Sequence, residues 1–334
     1  MGQRFIYELS WKFQKFFRKR FKIILLRDRG ISWRKSQISS ATMYKQLPEK
    51  IVFLHHKKNP NQRRSIIGIH NVTLNPKSGV LWHSKRIIEE STVWHVSDLY
   101  KWEPTPLLAK YLPGKFINLP DNGFYHFLIE DLPRFLDVIY LNSKATTIYG
   151  SSSMYITETL ELLRIQNKRY ISHPVLCEEL ILSEKTFGGI FTSQDHKKLL
   201  NFSEKISANP RFKKIFIGRK NKSKGSISRG IDLTAEIEAL FSRKSFKIVY
   251  LEDLNFVDQI SIARGADVIA GFHGAGLAHM IWQNSSCKII EISETRMTSH
   301  FSHLARVCGH QYVFCKASDV VKFSLKEFST LITL

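Results

Sequence analysis

Residues 266–292 read ADVIAGFHGAGLAHMIWQNSSCKIIEI. Asp267-Val268-Ile269-Ala270 is a short apolar strand. Gly271-Phe272-His273-Gly274-Ala275-Gly276 is a loop of mostly small residues, and Leu277 to Trp282 reads as an apolar helix. Lys288 to Ile292 is a second buried strand carrying one acid, Glu291. A glycine-rich turn from strand to helix is a ready anion site. Backbone N–H groups point outward at the helix start, and glycine lets a phosphate approach closely. The run is not a Walker loop, which needs Gly-x-x-x-x-Gly-Lys-Ser/Thr. Nor is it the dinucleotide fingerprint, since Leu277, Ala278 and His279 follow Gly276 and the third glycine is missing. The plain alternative is a tight βα turn that needs glycine for its backbone alone.

The second half of the chain alternates regularly. Strands are expected at Lys214–Ile217, Phe246–Tyr250, Asp267–Ala270, Lys288–Ile292 and Tyr312–Cys315. Helices are expected at Leu233–Phe241, Asn255–Gly265, Leu277–Gln283 and Thr298–Cys308, with a basic loop over 218–230. This pattern implies a doubly wound parallel sheet with ligands at the carboxyl ends of its strands. A polar hinge at Ser203–Arg211 separates it from the first half. There, residues 50–100 are short apolar runs split by Asn, Pro and Gly, including Thr92-Val93-Trp94, and read as β-rich. The stretch Phe124–Asn142 is helical, with Pro133 kinking or splitting it.

The 334 residues suit two ordinary domains. The net charge of +21, from 50 Lys/Arg against 29 Asp/Glu, draws polyanions: an anionic membrane face, phosphorylated substrates or nucleic acid. The four cysteines form no Cys-x-x-Cys and read as reduced thiols. No apolar run reaches the roughly 18 to 20 residues that span a bilayer, and the N-terminus does not read as a secretory signal. Residues 1–29 hold nine Lys/Arg and two acids. Phe5, Leu9, Phe13, Phe16, Phe17, Phe21 and Ile24 recur at three- and four-residue steps, so aromatics fall on one helical face and cations on the other. Such a basic amphipathic helix lies on anionic membranes; the alternative is a helix packed on its own domain. No zinc pattern, helix-turn-helix pair or RNP-like strand accompanies the charge, so no nucleic-acid partner is expected.

Several segments together resemble the glycosyltransferase 61 family. They are Ile215-Phe216-Ile217-Gly218-Arg219, then Asp253-Leu254-Asn255-Phe256 with Gln259, then Ala266 to Leu277, then Ile289-Ile290-Glu291. Upstream, Asp121-Asn122-Gly123-Phe124-Tyr125-His126 runs on to Glu130-Asp131-Leu132-Pro133-Arg134. It is similar to the family's Asn-x-x-His helix ending in Asp/Glu-x-x-Pro-Arg. The resemblance covers about residues 60 to 315, and the order and spacing of the motifs carry it. It implies a GT-B-like α/β fold, two Rossmann-type domains facing a central cleft. It also implies a nucleotide-sugar donor, UDP-linked as the first expectation with GDP and CMP forms open, and inversion at the anomeric carbon. The domains expected are a basic segment at 1–45, an acceptor-side domain at 46–205 and a nucleotide-sugar-binding domain at 206–334. Eukaryotic members of the family carry a membrane anchor. With neither signal nor span read here, the expectation is a bacterial polysaccharide-type enzyme, cytoplasmic and peripheral on the inner membrane face, acting on a glycan or lipid-linked glycan.

Inverting transfer needs a base for the acceptor hydroxyl and charge stabilisation for the leaving diphosphate. The sequence holds no Asp-x-Asp for a metal, and a basic field with a helix start can do that work, so neither metal nor cofactor is expected. Gly274, Ala275 and Gly276 are assigned to the diphosphate. Arg219 is the best cationic partner, because a guanidinium grips phosphate as a fork; Lys220 and Arg229 rank below it, and a solvated loop cation is the plain alternative. His273 fits a phosphate or sugar hydroxyl, or a structural role. Glu291 fits the ribose hydroxyls, or a loop-capping role. Gln259 is a weaker substrate candidate that fits a loop brace as well. His126 and Glu130, four apart, share a helix face, and Asp131 is adjacent. His126 ranks first as base, Glu130 second and Asp131 third, with Asp131 also readable as a helix N-cap. Asn122 is a candidate sugar contact. His300 and His303, three apart, have no acid motif beside them to make a metal site. The non-enzymatic alternative is a basic peripheral scaffold binding anionic lipid or nucleic acid.

Overall fold

The computed structural model describes residues 51–55, 66–83, 86–88, 106, 108–142, 144–183, 191–209, 211–219, 234–295, 299–322 and 330. The expectations for residues 1–29, for Thr92-Val93-Trp94 and for Lys220 and Arg229 lie outside these. The chain divides into two compact units: residues up to Ile156 with Leu160–Gly189, and Thr157–Thr159 with residues from Ile190 on.

The first unit holds β1 (Ile51–His55), β2 (Ile66–Leu74), β3 (Leu81–His83), β4 (Arg86–Ile88), β5 (Lys110–Leu119), α1 (Leu132–Ile139), β6 (Thr146–Tyr149), β7 (Lys168–Tyr170) and β8 (Val175–Ser183). A further helix, α2 (Met154–Leu162), spans the boundary between the units. Among the described residues the strands form an eight-stranded sheet ordered β4-β3-β2-β8-β5-β6-β7, with β1 also on β2. From β8 to β7 the pairs are parallel; β1 to β4, and β2 against β8, are antiparallel. The sheet is therefore mixed rather than of the plain Rossmann type expected for both domains. The reason is local. Only Asn75–Val80 joins β2 to β3, whereas a parallel crossover needs a dozen residues or more. That turn closes with Gly79 N–H on the Asn75 carbonyl at 2.8 Å, and Gly79 takes φ +71°.

The second unit runs α3 (Ser193–Ser203), β9 (Lys214–Ile217), α4 (Thr234–Arg243), β10 (Lys247–Val249), α5 (Phe256–Gly265), β11 (Val268–Phe272), β12 (Lys288–Ser293), α6 (His300–Cys308), β13 (Gln311–Lys316) and α7 (Ala317–Val320). Its five strands are all parallel, in the order β10-β9-β11-β12-β13. This is the expected Rossmann-like alternation, and the strand order reverses between β9 and β11. Strands buried on both faces read as continuous apolar runs, and every residue of β11 and β12 is buried. Phe216, Phe241, Phe246 and Phe272 pack on one face with Ile237, Ile290 and Ile292. Each such side chain contributes roughly 1.5–3 kcal/mol of burial. Asn255 caps α5 by accepting from Asp258 N–H at 2.7 Å, and the helix ends at Gly265, where a Cβ would run into the Asn209 carbonyl.

The helix expected from Leu277 is present, as a 3-10 helix over Ala275–Trp282. In that geometry side chains at i and i+3 eclipse, which lets Trp282 Nε1–H donate to His279 Nδ1 at 3.1 Å. Leu277 to Trp282 are all buried, so the segment serves as an apolar plug, and its tight turns follow the space available.

Candidate functional site

In an open α/β sheet, ligands sit beyond the carboxyl ends of the strands where the strand order reverses. Here that place lies between β9 and β11. Gly271 is in register with Ile217, so β9 exits through Gly218-Arg219 and β11 exits through His273-Gly274 side by side. The Arg219 guanidinium donates to the His273 carbonyl. Gly218 is hemmed in: a Cβ there would lie 2.7 Å from both Glu238 Oε1 and the Tyr250 ring. Glu238 accepts from Arg219 N–H at 3.2 Å and from the Tyr250 hydroxyl at 2.8 Å, fixing the start of the loop. Sequence reading gave no role to Glu238; only the fold brings it to residue 219. Arg219 and Ala275 are exposed, Gly274 and Gly276 partly so.

A 3-10 segment aligns its peptides less well than an α-helix, and Arg219 is the cationic side chain that reaches this loop among the described residues. The first N–H groups of the segment still lack intrahelical acceptors by geometry.

Behind the loop, Glu291 is 1% exposed. Its Oε1 is bonded to His273 Nδ1, and its Oε2 accepts from the Tyr312 hydroxyl at 2.6 Å. Register explains the trio. Glu291 pairs with Gly271 on one side and Phe314 on the other, so His273 and Tyr312 lie on its face of the sheet, two residues along in opposite senses. Both oxygens of this buried carboxylate thus already have protein partners, His273 and Tyr312. Phe301 packs edge-on to the His273 ring at 5.2 Å. Gln259, 7% exposed, is a brace. Its Nε2 donates to Leu251 O at 2.9 Å and Leu254 O at 3.0 Å, and its Oε1 accepts from His279 Nε2 at 3.1 Å.

In the first unit the loop after β5 carries Asp121-Asn122-Gly123. Burial raises the Asp121 pKa, but bonds from Ser151, Ser153, Tyr155 and Gly123 N–H outweigh it and hold the carboxyl below its ordinary range. Gly123, at φ +93°, opens a single helical turn, Phe124–His126. A π turn follows at Phe127–Asp131, closed by Leu132 N–H on Phe127 O. Pro133, without an N–H, sits at the start of α1 just past it. The helical stretch thus runs on from Phe124 to Ile139 with a π bulge ahead of Pro133, of the kind common at functional sites, rather than being split at the proline.

His126 Nδ1 meets Glu130 Oε1 at 2.8 Å, as their spacing requires. Asp131 faces elsewhere: its Oδ2 accepts from Asn122 Nδ2 at 3.0 Å, and it makes no side-chain cap to α1, against the N-cap reading. Glu130 Oε2 and Asp131 Oδ1 are buried without a hydrogen-bond partner among the described residues. Burial pushes Asp131 up to about 7, opposed by Arg134 and the Asn122 bond and assisted by Glu130. Burial, with the Glu130 charge, pushes Tyr125 up to about 12. In the second unit, His303 Nδ1 lies 2.9 Å from Arg306 Nη2.

The Glycosyltransferase 61 family model matches residues 124–290, half of the chain. A 90-residue stretch is 31% identical to an EGF domain-specific O-linked N-acetylglucosamine transferase of Drosophila melanogaster, covering 27% of this chain and 17% of the relative. A 95-residue stretch is 27% identical to the protein of the same name from Xenopus laevis, covering 27% of this chain and 18% of the relative. Each match spans less than a fifth of the relative. The family match takes in both the His126–Glu130 pair and the switch-point loop, and the chain belongs to the glycosyltransferase 61 family.

Proposed function

We propose that the chain is an inverting, metal-independent glycosyltransferase that moves a sugar from a nucleotide-sugar donor, UDP-linked in the first instance, to a glycan or lipid-linked glycan during polysaccharide biosynthesis. The observation that carries this reading is the switch-point loop: a guanidinium and a glycine-bounded backbone converge where an α/β sheet takes its ligand. Arg219 and the N–H groups of Gly274, Ala275 and Gly276 take the diphosphate and stabilise its charge as the anomeric C–O bond breaks. His126 takes the proton of the attacking acceptor hydroxyl, and Glu130 holds the ring and balances the imidazolium that forms. Asn122 orients Asp131 rather than the sugar. Metal independence rests on a sequence without Asp-x-Asp. A working place at the inner, anionic membrane face rests on the basic residues 1–29.

The relatives' names favour a second reading for the acceptor, transfer of N-acetylglucosamine to a hydroxyl of an EGF-type protein domain. Melting of the full chain with UDP, GDP and CMP and their sugars, with and without EDTA, tests the donor half. A ligand at about 100 times its dissociation constant adds about 2.7 kcal/mol. A shift with one nucleotide, unchanged by EDTA, supports the reading. A shift with heparin or anionic liposomes alone supports the scaffold. Turnover of that sugar on a lipid-linked glycan against an EGF domain then decides the acceptor.

A further inference from the structure

The best-defined buried polar cluster in the second unit is the chain of bonds from Tyr312 through Glu291 to His273. A carboxylate 1% exposed is expensive to bury, and here two donors from neighbouring strands hold it. Its acceptor oxygen on Nδ1 fixes which ring nitrogen carries the proton, as outer partners do for metal-binding histidines. The Phe301 ring limits the tilt of the imidazole. The ring belongs to the residue immediately before Gly274, and its backbone carbonyl is the one Arg219 grips.

We propose that Tyr312 and Glu291 are positioning residues that hold His273 in one tautomer and one orientation, so that its Nε2 contacts the bound nucleoside diphosphate. This deepens the donor reading above and rests on it. Glu291 acts through His273 rather than on the ribose, and Tyr312 enters the site as a residue that never touches the ligand. The relay runs from the end of β11 across β12 to β13, so the ring is placed by the register of the sheet, while Arg219 and Ala275 in front of it are exposed.

The test is imidazole 1H–15N correlation on the full chain with 15N-labelled histidine, titrated with UDP, and with GDP and CMP in parallel. The His273 signal is assigned by its loss in His273→Gln. The expected result is a His273 ring protonated at Nδ1, with an Nε2 resonance that moves on binding UDP. Tyr312→Phe removes one oxygen and keeps the packing. It should weaken UDP about 3- to 10-fold, the scale of one ordinary hydrogen bond. It should also shift the Nδ1–H signal, and because the Glu291 oxygen left without its donor lowers stability, affinities are compared at a temperature where both proteins are folded. Glu291→Gln should weaken UDP about 10- to 100-fold, in line with other outer-partner losses. UDP binding with a silent His273 Nε2, or unchanged affinity in Tyr312→Phe, overturns the relay and leaves the donor reading standing. No binding of any nucleotide, by this titration and by melting, overturns both.

Discussion

The Arg219 guanidinium occupies the space that a Cβ on Gly274 would need. Gly274 itself is extended, at φ 169° and ψ 171°, a backbone any residue can adopt. Glycine is therefore required here by the arginine and not by the chain. Gly274→Ala should displace the guanidinium from the His273 carbonyl with little cost to the fold. The expected outcome is a rise of about tenfold or more in donor KM with a melting change under about 2 °C. Donor titration with calorimetry on the same protein checks both. Gly276→Ala is the contrast: its Cβ would meet Ile217 Cγ2 at 3.0 Å and Leu251 Cδ1 at 3.1 Å, so apolar packing must give and stability falls as well.

The His126–Glu130 bond makes a separate kinetic prediction. Loss of the proposed base, in His126→Gln, should lower kcat by about 100- to 10,000-fold. Glu130→Gln keeps an acceptor for Nδ1 but removes the balancing charge, and should lower kcat by about 10- to 100-fold with donor KM nearly unchanged. Steady-state kinetics at saturating donor separates these. A KM effect without a kcat effect would move the pair from catalysis to binding.

The parallel sheet of the second unit was legible because β9 to β13 are short Val/Ile/Phe runs punctuated by glycine, and alternation of that kind has few topologies. The His126–Glu130 contact was legible for the same reason: helical spacing alone sets it. What stayed hidden needed register. Tyr312 and Glu291 are 21 residues apart, and nothing in either strand says that they share a face until β12 and β13 are aligned. The π turn was hidden too, because Phe127–Asp131 has ordinary helical composition and only Pro133 hints at disturbance. The mixed sheet of the first unit and the 3-10 plug were set by connection length and by crowding, which outvote local propensity.

Asp131 gives a pH-dependent prediction. Burial takes its carboxyl from 3.8 to about 7, so the folded chain keeps a proton there that the unfolded chain releases near pH 4. The stability that this contributes is fully present below about pH 4 and is lost as pH rises through about 7. Above that, the native protein holds a buried charge beside Glu130. Asp131→Asn cannot ionise, and it keeps an oxygen for Asn122 Nδ2. It should gain on the unmodified protein by roughly 2–3 kcal/mol between pH 5 and pH 8. Urea midpoints at the two pH values measure this, and a gain independent of pH would mean that Asp131 is ionised throughout.

Gln259 separates bracing from ligand contact. Gln259→Leu conserves most of the volume but removes three hydrogen bonds, those to the Leu251 and Leu254 carbonyls and the one from the His279 ring. Burial pushes His279 down to about 3, so it stays neutral and cannot recover the loss by taking up a proton. The cost should be about 2–4 kcal/mol, a fall of roughly 5–10 °C in melting temperature. Leu251 lies against the Gly276 position, so the brace supports the Gly274–Gly276 loop from behind. At a temperature where the variant is still folded, donor KM should stay within about threefold of normal. A large KM rise with unchanged melting would put the amide on the ligand instead, and would return Gln259 to the list of donor contacts.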